Sequence, residues 1–269
     1  MRERKQGTLR RGLARGFALL LASGIGALGA SGVAVAAPTV TAAGKAIKIP
    51  GFPHTGNILG AGAAVEAEVK ISGTEYGGFP PPLIGVTVFL PTGVKIDTHD
   101  FPTCTPELIE RNSENCPKGS TAGPVGKVFG VVAFGGERVH ETAEIHSFFV
   151  PGGGLDFLVV GHSPVSLEVS SAAKLLQPLG GGGFGPEFTG SVPLVSTVPG
   201  APYASVEAVD IELGTAIRKG GKTFYYGRVP KSCPAGGFRV KSEFTFAEEG
   251  ELSKPVTVTV PFRAPCPPR

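Results

Sequence analysis

Tryptophan is absent from this chain, tyrosine occurs four times, and charged side chains make up 17% of its 269 residues. The aromatic shortage leaves Tyr76, Tyr203, Tyr225 and Tyr226 as the only rings with a polar handle for stacking on a sugar. Helical periodicity is scarce too. Thr105-Pro106-Glu107-Leu108-Ile109-Glu110 is one short candidate, with Thr at a favoured N-cap and Pro at the first helical position, and Ser171 to Gln177 is the other. Nucleotide motifs are equally thin. Gly180-Gly181-Gly182-Gly183-Phe184-Gly185 matches G-x-G-x-x-G in form, but it lacks the preceding strand, the following helix and the acidic residue of a dinucleotide fold, so no cofactor is expected. Gly161-His162-Ser163-Pro164-Val165 lacks the second glycine and the strand-to-helix setting of a nucleophile elbow, which makes Ser163 a turn residue.

What is present begins with Arg2, Arg4, Lys5, Arg10, Arg11 and Arg15, followed by an apolar, small-residue segment from Phe17 to Ala37. This is the pattern of a secretory signal, and Ala34-Val35-Ala36 fits the small-x-small cleavage rule. An uncleaved anchor is the alternative, and Arg10-Arg11 permits a twin-arginine route. The whole chain has 25 Lys+Arg and 22 Asp+Glu; residues 1–36 hold six and one of these, leaving 19 and 21. The remaining chain is thus slightly acidic, and its composition gives no reason to expect nucleic-acid or anionic-membrane binding. Residues 37–269 read as a β-sandwich domain, with the glycine run near 178–187 as a possible division into two sheets or subdomains, and no membrane span is expected once the signal is removed.

Period-2 alternation is the dominant signal. Ala63, Val65, Ala67, Val69 and Ile71 alternate with Glu66, Glu68 and Lys70, and Ile84, Val86, Val88 and Leu90 follow after Pro80-Pro81-Pro82. Further strands are predicted over 128–134, 144–150, 155–161, 165–169, 188–195, 203–213 and 222–229. Many short strands, 41 Gly and 25 Pro point to an all-β, mostly antiparallel sandwich of jelly-roll or Ig-like type, with a short stapled helical turn. Four cysteines allow three connectivities, of which Cys104 with Cys116, the staple, and Cys233 with Cys266 is favoured because each pair is close in sequence. The second pair flanks a hairpin in which Val240 facing Val260 and Phe244 facing Val256 would put both apolar faces on one side. Those pairs sum to even numbers and Cys233 plus Cys266 to an odd one, so a bulge or splay near Phe238 or Phe262 is expected.

Candidate chemistry centres on histidine. His140, Glu144 and His146 share one face of a predicted strand, and with His162 on the next they would supply three nitrogens and a carboxylate suited to zinc or another transition ion. Register decides whether they meet: a four-residue loop at 151–154 puts His162 on the opposite face, and a loop one residue longer puts it opposite Glu144. Asp97, His99 and Asp100 form a loop cluster in which carboxylates beside a histidine could support acid–base work. Tyr225 and Tyr226, adjacent on a strand, point to opposite faces, so one can belong to the core and the other to a binding surface.

Val94-Lys95-Ile96-Asp97, Phe101-Pro102-x-Cys104, Cys116-Pro117-Lys118-x-Ser120-x-x-Gly123 and the closing Cys233-Pro234 and Cys266-Pro267 pairs carry a resemblance over most of residues 83–267. The chain resembles uncharacterised exported β-rich proteins of high-GC Gram-positive bacteria. That resemblance implies an envelope or extracellular setting, and it carries no catalytic positions, since no activity is assigned to the group. The expectation is a secreted or cell-surface, non-catalytic protein with a structural or binding role in the envelope, whose partner is a protein or glycan component. A secreted hydrolase or metal-binding protein using the central histidines is the alternative.

Overall fold

The computed structural model describes residues 37–177, 183–248, 251 and 253–267. The predicted signal, residues 1–36, lies outside the described residues, as do Gly180–Gly182 of the glycine run. Ala36–Arg269 forms one compact unit. Its strands in chain order are β1 (Thr39–Ile47), β2 (Gly62–Ser72), β3 (Leu83–Pro91), β4 (Lys95–Ile96), β5 (Gly126–Phe134), β6 (Glu137–Phe149), β7 (Leu155–Gly161) and β8 (Leu167–Leu176). They continue with β9 (Phe184–Ser191), β10 (Ser205–Leu213), β11 (Ala216–Lys219), β12 (Lys222–Tyr225), β13 (Gly227–Arg228), β14 (Phe238–Ala247) and β15 (Pro255–Ala264). One short helix, α1 (Pro106–Asn112), joins β4 to β5, and none of the described helices is long and apolar enough to cross a membrane.

Every strand pairing is antiparallel, and a single 13-stranded sheet runs β15-β14-β3-β9-β8-β7-β6-β5-β10-β2-β13-β4, with β1 on the other side of β2. β8 and β9, on either side of the glycine run, are hydrogen-bonded neighbours in this sheet. The sheet folds back on itself. Val40 of β1 and Ile71 of β2 meet Leu83 of β3 and Phe244 and Phe246 of β14 in one buried cluster, which gives the all-β, sandwich-like arrangement. The two outer strands come together without zipping: the Phe262 ring of β15 lies 3.5 Å from where a Cβ on Gly44 of β1 would stand. Pro255 and Pro261 within β15, and Pro265 just past it, remove donors from an edge strand, a usual guard against further pairing.

The segment Ser171 to Gln177 is not helix: Ser171 to Leu176 belong to strand β8, and Gln177 follows its end. Its Ala, Lys and Leu favour helix intrinsically, but β8 lies between two partners, with Ala173 opposite both Leu155 of β7 and Gly190 of β9. Two ladders of hydrogen bonds outweigh a propensity difference of a few tenths of a kcal/mol per residue. The other helix forms as its sequence suggests. Thr105 is the N-cap and Pro106 the first helical residue, although the Thr105 side chain makes no capping bond. What holds α1 is burial: Ile109 is fully enclosed with Cys104, Phe148 and Leu158 on the outer face of β6 and β7.

Both disulfides form as favoured, Cys104–Cys116 and Cys233–Cys266, with Cα atoms 5.3 and 6.0 Å apart. The hairpin parity is even, but the register is two residues away, with Val240 opposite Phe262 and Phe244 opposite Val258. Of the bulge or splay expected near Phe238 or Phe262, the bulge is absent and the pairing instead ends before the cysteines. The ladder runs unbroken from Phe238↔Ala264 to Ala247↔Pro255. The odd offset of the cysteines is taken up outside it, in a turn closed by the Gly237 N–H donating to Pro234 O at 3.1 Å.

Candidate functional site

β6 and β7 are joined by a loop one residue longer than the tight one, so Phe149 faces Leu155 and Glu144 faces Val160; the expectation that this loop would set His162 opposite Glu144 is corrected, because each added loop residue moves the pairing of β7 back along β6 and away from Glu144. That parity puts His140, Glu144 and His146 on the outer face of β6 together, yet it does not gather them. Six residues of strand separate His140 from His146 by about 20 Å, since each residue advances about 3.3 Å. Each instead has a local partner. His140 Nδ1 lies 2.9 Å from Glu207 Oε2 on β10 and its ring stands edge-on to Phe79 at 6.0 Å; His146 Nε2 lies 3.2 Å from Glu144 Oε2. His162 falls beyond the last β7 pair, Ala143↔Gly161, and its charge acts on Glu141 instead. Among the described residues no three His, Cys, Asp or Glu side chains are grouped to hold a metal ion. Sharing a face is necessary for convergence but does not set distance along the strand.

Asp97 and His99 form a local turn: the His99 N–H donates to Asp97 Oδ1 at 3.1 Å, and the His99 ring is almost wholly exposed. Asp97 is anchored in turn by its own N–H, which donates to Tyr226 O at 2.8 Å. Tyr226 itself is a core residue. Its ring packs 4.6 Å from Phe149 and 5.9 Å from Phe101, and burial pushes its hydroxyl well above the ordinary tyrosine range. Tyr225 points the other way and is half-buried at the surface.

Around Tyr225 the fold assembles something that net charge did not announce. Residues 37–65 and 214–242 contain no acidic residue at all. The structure lays these two runs side by side: the Val229 N–H donates to Ala61 O at 2.9 Å and the Gly60 N–H to Pro230 O at 3.1 Å. Ile49 and Ala64 pack with Ala216, and Phe52 and Tyr225 cover them. Fully buried Thr55 accepts from Ile49 N at 2.8 Å and donates to Phe52 O at 2.6 Å, which fixes the turn carrying Phe52. The β11–β12 hairpin turns through Gly220 and Gly221, with φ of 58° and 74°, the left-handed pair that a two-residue hairpin loop requires. The end of the fold where these runs meet, including the separate two-stranded β11–β12 sheet, therefore carries Lys48, Lys95, Arg218, Lys219, Lys222, Arg228 and Lys231, none of which forms an ion pair among the described residues. The slightly acidic total gave no sign of this cluster, because a sum of charges is silent about their placement.

At the centre of this end, Gly62 of β2, Arg228 of β13 and Lys95 of β4 form one cross-strand row. The Tyr225 ring rests against Gly62, where a Cβ would come within 2.0 Å of it, and the Arg228 guanidinium lies over the ring at 4.7 Å. Phe52 meets Tyr225 edge-on at 6.3 Å and carries Arg218 at 5.1 Å. Lys95, Asp97, His99, Tyr225 and Arg228 line a depression of about 310 Å3. Directly opposed side chains in an antiparallel pair have Cβ atoms about 5 Å apart, so Lys95 and Arg228 hold two like charges close together, an arrangement that destabilises the pair unless an anion joins it.

Two other cation–aromatic sites make the contrast. Arg138 lies between Tyr76 and Phe79, at 4.8 and 4.6 Å, but donates to Tyr76 O and to Ser205 Oγ, so its guanidinium pins the 73–82 loop. Lys241 sits 3.8 Å over Phe89 and is neutralised by Glu243 at 2.7 Å. A second groove, about 320 Å3 between β1 and β15, pairs its Lys45 with Glu66 at 2.8 Å. Arg228 and Lys95 have no such protein acceptor among the described residues. No protein-family model, curated protein or solved structure matches this chain.

Proposed function

We propose that the chain is an exported, non-catalytic protein of the cell surface or extracellular space, with a binding or structural role in the envelope. The observation that carries this reading is the complete use of cysteine: all four are oxidised in two bridges, each closing a local loop. Such bonds persist in oxidising compartments and are reduced in the cytosol. The apolar segment after a basic N-terminus agrees with export. The binding part of the reading is supported by the cation–aromatic end of the fold, where Lys95 and Arg228 have no ion-pair partner among the described residues and line a recessed surface. Cells producing the native protein are to be fractionated into medium, wall, membrane and cytoplasm, with free thiols alkylated at lysis. Recovery in the medium or envelope with no alkylated cysteine is expected. Recovery only in the cytoplasm with free thiols overturns the proposal.

A further inference from the structure

We infer that the depression bounded by Lys95, Asp97, Tyr225 and Arg228 binds the carboxylate-bearing units of an acidic polysaccharide. The inference rests on the reading of the protein as an envelope binder and names the class of component bound. Three features of the site select this chemistry.

The first is the opposed cation pair. Arg228 and Lys95 stand directly across from each other on β13 and β4, and both lack a protein acceptor among the described residues. A planar carboxylate bridging them replaces a repulsion with charge-assisted hydrogen bonds, and the guanidinium fork matches its two oxygens. Tyr225 holds that fork in place from one side, which lowers the entropy lost on binding.

The second feature is Asp97. It lines the same depression as a fixed acceptor, its backbone tied to Tyr226 and its side chain to the His99 N–H. A carboxylate acceptor beside a cation pair suits a ligand that brings hydroxyl donors along with its negative charge. A dense polyphosphate, which brings charge without donors, is repelled by it.

The third is the state of the aromatic rings. Tyr225 rests against Gly62 and is overlaid by Arg228, and Phe52 carries Arg218, so neither ring is left open as a platform for successive bases. The recess, about 310 Å3, admits a single ring-sized unit rather than a flat headgroup surface. Lys48, Arg218, Lys219, Lys222 and Lys231 around it supply a basic field along which a charged chain can continue.

The test measures binding of the purified, disulfide-bonded protein to oligogalacturonate of four to six units by titration calorimetry. The fully methyl-esterified oligosaccharide, anionic phosphatidylglycerol vesicles and single-stranded DNA serve as comparison probes. Binding to the free acid is expected to weaken with added salt and to be lost on esterification. Arg228→Met and Lys95→Gln are each expected to weaken it about tenfold or more, the equivalent of one hydrogen bond to a charged group, while Arg228→Lys falls between. Lys95 is exposed, so its variant reads the site even if Arg228→Met disturbs the Tyr225 stack; Lys70→Met, on a lysine paired with Glu68 at 2.6 Å, is expected to bind as the parent does. Equal affinity for the ester, preference for vesicles or DNA, no binding of the acid, or insensitivity to both site variants overturns the inference. Cytoplasmic recovery with acid binding intact would instead overturn the envelope reading and leave the site standing.

Discussion

Replacing Glu141 with methionine should stabilise the protein, and more so at pH 8 than at pH 4.5. Glu141 is on the inward face of β6 at 6% exposure, and neither carboxylate oxygen has a hydrogen-bond partner among the described residues. It fits because glycine flanks it on both sides: Gly130 is its partner on β5, and a Cβ on Gly161 of β7 would stand 2.2 Å from its Oε1. Burial raises its pKa above the ordinary glutamate value, and the nearby charge of His162 opposes that shift. A carboxyl group that binds its proton more tightly when folded favours the native state at low pH. That advantage is lost as pH rises from about 4.3, the unfolded value, through the raised native one. Leaving a buried polar group unsatisfied costs about 1–3 kcal/mol, and methionine fills a similar elongated volume without that cost. For a unit of this size each kcal/mol moves Tm by about 2–4 °C, so a rise of roughly 2–12 °C is expected at pH 8. Thermal unfolding followed by circular dichroism at both pH values checks it. A lower Tm for Glu141→Met at pH 8, or a difference that does not change with pH, would refute the picture of an uncompensated buried carboxylate.

Other perturbations test the frame. Removing the Cys104–Cys116 bridge as a double alanine variant should cost about 3 kcal/mol through the loop it closes around α1, seen as a lower Tm under non-reducing conditions. Phe246→Ala should cost about 3–5 kcal/mol in urea titration, because that ring is completely enclosed by both halves of the folded sheet. Ser170→Ala should cost about 1–3 kcal/mol, because the Ser170 hydroxyl donates at 2.7 Å to Asp156, an acid almost wholly buried under the α1 side of the sheet; an unchanged Tm would show that the bond is not needed.

Much of the local structure was legible. Alternation placed most strands within a few residues, since a half-buried strand writes its period directly into the side chains. Cysteine spacing selected the bridges. Even parity in the last hairpin was readable as well, because it alone keeps Val240, Phe244, Val258 and Phe262 on one side. Its register was not, as any shift of two residues preserves the faces, and the choice belongs to the loop between Ala247 and Pro255. The segment Ser171–Gln177 misled because helix propensity is local and its two partner strands are not.

What the sequence determined by itself is the class of fold, the position of its turns and staples, and the segregation of acidic residues away from 37–65 and 214–242. What only tertiary structure decided is which of these stretches become neighbours. His140 and His146, close in sequence and on one face, are carried apart by the rise of a strand. Lys95 and Arg228, more than a hundred positions apart, are set opposite each other by the pairing of β4 with β13. The physical reason is the same in both cases. Periodicity records the solvent exposure of each residue, whereas the meeting of distant side chains depends on strand order and register, which are settled by packing the whole sheet at once.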